Sequence, residues 1–166
     1  MRIFQTDLVE RVQAARDNVD TRENLLGVMI GKKEWLLDLH EIGEIVPMSS
    51  ISRVPLTQDW YLGLLNIRGN LVSVIDFARY QGLGLTDIEP GCRVITFSPS
   101  LGINCGLLVT RVIGLRNIAE MHPQPDKVES DAPWVGQVFH GTDSRVWTRL
   151  SFTAIAQEQR FLHIGL

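Results

Sequence analysis

A chain of 166 residues with a net charge of −3 and a 45% hydrophobic fraction can bury a sizeable core without a disulfide or metal staple. Its charged residues (21%) include no basic run, which argues against a phosphate-backbone binder and against nucleic acid as a partner. No apolar run approaches the roughly 20 residues that span a bilayer, and Met1 to Asn18 lacks a signal peptide's apolar stretch, so the expected location is the cytoplasm, without membrane insertion.

Leu8, Val12 and Ala15 recur at helical spacing, with Thr6 or Asp7 as cap, and predict a helix from Thr6 to Asn18. Val19 to Asn24 reads as a linker, making residues 1–24 a helical extension and 25–166 the main domain. The character then changes to strands. Leu25 to Ile30 and Glu34 to Leu39 flank Gly31-Lys32-Lys33 as a hairpin. His40 to Val46 continues until Pro47 stops it, and Pro47 to Asp59 is loop-like. Gly63 to Ile67 and Asn70 to Phe77 form a second hairpin turning at Arg68-Gly69; Gly69 suits positive φ and Asn70 tolerates it. After a Gly-rich, acidic loop from Gln81 to Pro90 come strands at Arg93 to Phe97, Ile103 to Val109 and Val112 to Ile118. Met121 to Pro133 is irregular, and Trp134 to Phe139 pairs with Arg145 to Leu150. Ser151 caps a closing helix with Phe152, Ile155 and Leu162 on one face. Short strands with frequent turns imply an all-β barrel or sandwich with helices only at the ends.

No reactive group declares itself. Cys92 and Cys105 stand alone and read as buried thiols in strands. His40, His122, His140 and His163 lack metal-ligand spacing. No nucleophile elbow or phosphate loop occurs, and Asp76 lacks the neighbouring acids of a magnesium site and reads as a strand-end residue bonded to a turn. Catalytic residues, cofactor and metal are therefore all expected to be none. Arg68 has two readings on the residues alone: the commoner solvated turn arginine, or an anchor whose planar fork is held out toward a partner. Ile42, Ile45 and Val46 are equally core or groove.

The series Gly63-x-x-Asn66-x-Arg68-Gly69 followed by Val74-Ile75-Asp76-Phe77 resembles the signature of the CheW family of bacterial chemotaxis coupling proteins. Glu44-Ile45-Val46-Pro47, Ile51 to Pro55 and Cys105 to Val109 resemble its flanking segments, so the likeness runs from about Leu25 to Phe161. It implies two five-stranded SH3-like barrels sharing one hydrophobic core, with short helices at the N- and C-termini here. It also implies a non-enzymatic adaptor joining methyl-accepting chemoreceptors to a CheA-type histidine kinase, a monomer within a larger array. Receptor binding is expected at Arg68, with Asn66 and Gly69 shaping its turn and Ile42 and Glu44 nearby; kinase contact falls on the apolar end of the first barrel. Ser73, Phe77-Ala78, Thr110 and Ser151 depart from the family's usual residues, pointing to a divergent member, such as the coupling protein of a pilus-linked system for twitching motility. The competing reading is a small-molecule-binding β-barrel sensor. That would need a pocket with convergent polar groups, and the sequence shows no such set.

Overall fold

The computed structural model describes residues 24–127 and 130–166; the helix expected over 6–18 lies outside them. β1 (Asn24–Ile30) and β2 (Lys33–Asp38) pair around Gly31, with Leu26 opposite Leu37 and Val28 opposite Trp35. Strand alternation divides their side chains between two apolar clusters. Leu26, Val28, Ile30, Trp35 and Leu37 face the central core, whereas Leu25 and Leu36 face a smaller cluster around Trp147.

A 3-10 turn leads into β3 (Ile42–Pro47), the two-residue β4 (Ile51–Ser52), then β5 (Tyr61–Ile67) and β6 (Asn70–Asp76). After the loop come β7 (Arg93–Phe97), β8 (Cys105–Val109) and β9 (Arg111–Asn117). β10 (His122–Pro123), β11 (Val135–His140) and β12 (Val146–Leu150) complete the strands. They form two sheets, ordered β10-β11-β12-β2-β1-β9 and β3-β7-β8-β6-β5-β4. Leaving aside the two-residue strands, each is a five-stranded, SH3-like lobe. The second lobe is continuous in sequence; the first is assembled from the hairpin before it and the strands after it. Each sheet contains one parallel pair, β2 with β12 and β6 with β8.

The two lobes share one hydrophobic core. Leu26, Val28 and Leu37 of the first sheet pack in the same cluster as Ile75, Ile95 and Leu107 of the second. Burying each such side chain contributes about 1.5–3 kcal/mol. Cys105 lies in this core, and burial pushes its thiol up to about 12; Cys92 is buried just before β7, outside any strand.

Three details differ from the sequence reading. Helices are not confined to the ends, because α1 (Phe77–Tyr80) follows β6 directly. Asp76 caps it by accepting from the Arg79 amide, and Phe77, Ala78 and Tyr80 are buried. A single turn carries too few residues to show a helical period. The closing helix is broken into α2 (Phe152–Ala156) and α3 (Gln159–Leu162). Ser151 caps α2 as expected, joined by the Glu41 carboxylate, which accepts from the Phe152 and Thr153 amides. The extended backbone at Glu158 resets the period, so Phe161 is 2% exposed and Leu162 52%. Phe161 stacks near Trp60 and Phe97, tying the C-terminal segment to the second lobe.

Candidate functional site

The β5–β6 turn is a two-residue connection with positive φ at both positions, +51° at Arg68 and +87° at Gly69. The left-handed residues are thus Arg68 and Gly69 rather than Gly69 and Asn70. Such turns match the twist of a hairpin and favour Asn-Gly or Asp-Gly. An arginine in the first position runs against that preference at a cost of about 1–2 kcal/mol. The turn is braced by Asn66, whose Oδ1 accepts the Gly69 amide at 2.8 Å. Nothing lies within 4 Å of where a Gly69 Cβ would sit, so this glycine is required by conformation, not by crowding.

Gly63 is different. Its φ is +138°, and a Cβ there would press on the Ser52 carbonyl oxygen and lie 2.8 Å from Ile51 Cγ2. The short β4 can lie alongside β5 only because this position carries no side chain.

Across from the turn, β3 contains a bulge between Ile42 and Ile45. The Glu44 amide leaves the ladder and donates to Thr96 Oγ1 at 2.7 Å; a Cβ on Gly43 would sit 2.5 Å from the same oxygen. A bulge re-aims the side chains that follow it. Glu44 therefore turns outward and its carboxylate pairs with the Arg68 guanidinium, although β3 and β5 lie far apart in the sheet order. That contact shows the sheet rolled toward closure. Both partners remain open to solvent, with Arg68 72% and Glu44 41% exposed, so the pair contributes only about 0–1 kcal/mol to folding.

The structure therefore brings together Arg68, Asn66, Gly69 and Glu44, and separates Ile42 from them. Ile42 has no solvent exposure and packs in the shared core, where it supports β3 from behind. Glu44 lines a cleft of about 440 Å³ together with Ile67, Asn70, Val72 and Thr96. Leu71, half exposed beside the turn, adds an apolar side chain that the sequence reading passed over. The period-two alternation with buried Val72 and Val74 already places it on the outer face.

A second groove, of about 590 Å³, lies elsewhere on the same lobe, between residues 48–62 and the 81–90 loop. Met48, Ile51, Val54 and Leu62 form one wall and Leu85 and Ile88 the other. Leu85 and Ile88 are both more than half exposed, and clustered exposed apolar side chains mark interaction sites. Asp76 is fully buried and holds the loop, accepting from the Thr86 amide and hydroxyl, each at 2.7 Å. Among the described residues no group of three or more His, Cys, Asp or Glu is placed to hold a metal ion. No described helix is long and apolar enough to cross a membrane.

The model of the CheW-like domain matches residues 24–160 of this sequence. The chain belongs to the CheW-like domain family. Among its CheW-like relatives, Protein PilI of Pseudomonas aeruginosa is 26% identical over 144 residues, spanning 85% of this chain and 79% of that protein. Chemotaxis protein CheW of Thermotoga maritima is 25% identical over 134 residues, spanning 81% and 87%. In structure, the chain resembles the scaffolding protein TtCheW of Thermoanaerobacter tengcongensis, with a TM-score of 0.65 at 24% identity over 78% of this chain and 89% of that one. The likeness bears out the CheW-like fold expected from the signature.

Proposed function

We propose that this protein is a non-enzymatic adaptor coupling methyl-accepting chemoreceptors to a CheA-type histidine kinase in the cytoplasm. The observation that carries the reading is Arg68, held in a left-handed conformation at a hairpin tip and paired with Glu44 while still largely exposed. Unfavourable backbone conformations persist where surrounding structure imposes them, and they concentrate at functional positions. The Arg68 fork, with Leu71 beside it, offers directional bonds and apolar contact to a receptor's helical tip. A separate apolar patch, at the apolar end of the first barrel that the family resemblance implies, engages the kinase's regulatory domain. One 25–166 domain carries both faces as a monomer within a larger array, with residues 1–24 as an extension. The likeness to Protein PilI and to chemotaxis proteins CheW supports reading the chain as a coupling protein of chemotaxis or of a pilus-linked system for twitching motility.

Affinity capture of the tagged chain from its native cell tests this. A histidine kinase and a chemoreceptor are expected to co-purify, and recovery of neither would refute the assignment.

A further inference from the structure

The first lobe carries a cleft of about 280 Å³ that the adaptor reading does not use. Two segments far apart in sequence build it. The end of β9 and the 3-10 turn after it bring Arg116, Asn117 and Glu120. The β11–β12 turn brings Gly141, Thr142 and Asp143, and Trp147 of β12 completes the lining. A volume at the small end of ligand sites, with polar groups converging on it, suits a small polar molecule.

Two features of the lining define that molecule. Trp147 is buried, yet no described group accepts a hydrogen bond from its indole Nε1. A Cβ on Gly141 would lie 3.1 Å from this nitrogen, so the bare glycine is what leaves the N–H uncovered on the cleft side. Buried donors ordinarily find an acceptor. Arg116 and Glu120, in turn, place opposite charges on one cleft without ion-pairing to each other or to any other described residue. Arg116 lies over the Trp147 ring at 5.6 Å, and its Nη1 donates to the Leu115 carbonyl at 3.3 Å. Asp143 is already engaged: its Oδ1 accepts the Arg145 amide at 3.2 Å, and its Oδ2 lies 3.4 Å from Arg145 Nε. The cleft thus offers an indole donor beside a cation, and a separate carboxylate.

We infer that this cleft binds a free α-amino acid. Its carboxylate accepts from Trp147 Nε1 and pairs with Arg116, and its ammonium group pairs with Glu120. A carboxylic acid alone leaves Glu120 unpaired, and an amine alone brings no acceptor to the indole N–H. A zwitterion is the smallest class of ligand that answers both, and the bonds it makes are the strong, charge-assisted kind. The inference is independent of the adaptor reading, because the cleft lies on the first lobe and Arg68 on the second.

The test titrates the full chain with each of the standard free L-amino acids and follows the assigned Trp147 indole N–H resonance by NMR. At least one amino acid is expected to shift that signal saturably, with a Kd of about 1 mM or tighter. The N-acetyl and the amide forms of the same amino acid each lack one charge and are expected to bind at least about 10-fold more weakly. Glu120→Gln and Arg116→Gln are each expected to weaken binding by about 10-fold or more, and Gly141→Ala to abolish the shift. Absence of a saturable shift with every amino acid up to roughly 10 mM would overturn the inference. Undiminished binding of the N-acetyl or the amide form would also overturn it, by showing that one charge suffices. Should Arg116→Gln or Gly141→Ala fail to fold, Glu120→Gln decides, since that side chain is exposed and surface changes of this kind leave the fold intact; full retained affinity there overturns the site.

Discussion

Arg68→Glu is expected to weaken binding to a chemoreceptor's cytoplasmic tip by at least about 100-fold, an arginine hot spot being worth 2 kcal/mol or more before repulsion is added. The thermal midpoint is expected to fall by less than about 4 °C, since the exposed pair with Glu44 contributes about 1 kcal/mol at most. The side chain is removed from solvent and one ion pair, not from the core. Titration calorimetry and thermal melting of the same preparation check both halves. The charge swap Glu44→Arg with Arg68→Glu sharpens the result. It restores an ion pair between β3 and the hairpin tip but leaves the cation on β3 rather than at the tip, so binding is expected to stay lost. Recovery of binding in the swap would mean that the pair matters only for closing the barrel.

Gly63→Ala is expected to destabilise the fold by about 3 kcal/mol, combining the strain of a left-handed alanine with overpacking. Two features add here: φ is +138°, and the new methyl group meets the Ser52 backbone, which cannot step aside as a flexible side chain could. For a chain of this size that is a fall of roughly 6–12 °C in thermal midpoint. Gly69→Ala provides the contrast. Its φ is also positive but its surroundings are open, so about 1 kcal/mol is expected from conformation alone. Equal losses at the two glycines, read from urea unfolding, would show that crowding against β4 is not what Gly63 relieves.

The hairpins were legible because alternation and a glycine turn are local signals, and the β5–β6 register follows from them. Ile42 was not. In a regular strand Ile42 and Glu44 share a face, and both were expected at the receptor surface. The bulge at Gly43 breaks that alternation, sending Ile42 into the core and Glu44 outward. A bulge depends on a contact with Thr96 made 52 residues away, which no window of sequence contains. The same limit hid the two parallel pairings and the Arg79–Asp59 contact. Asp76 was read correctly as a strand-end residue bonded to a turn, because a carboxylate closing an apolar run has few other ways to be satisfied when buried. The left-handed φ at Arg68 could not be expected, since local preference favours Asn or Asp there. The departure from local preference coincides with the residue assigned the partner contact, as happens where function overrides propensity.

The most direct measurement of the adaptor role is the composition of the complex formed by the purified chain, a chemoreceptor tip and the kinase regulatory domain, read by sedimentation velocity. Two separate faces predict a single species containing all three proteins, with the receptor tip lost from it in Arg68→Glu and the kinase domain retained. Competition between tip and kinase domain for the chain, or loss of both partners from that one substitution, would contradict an adaptor with two independent faces.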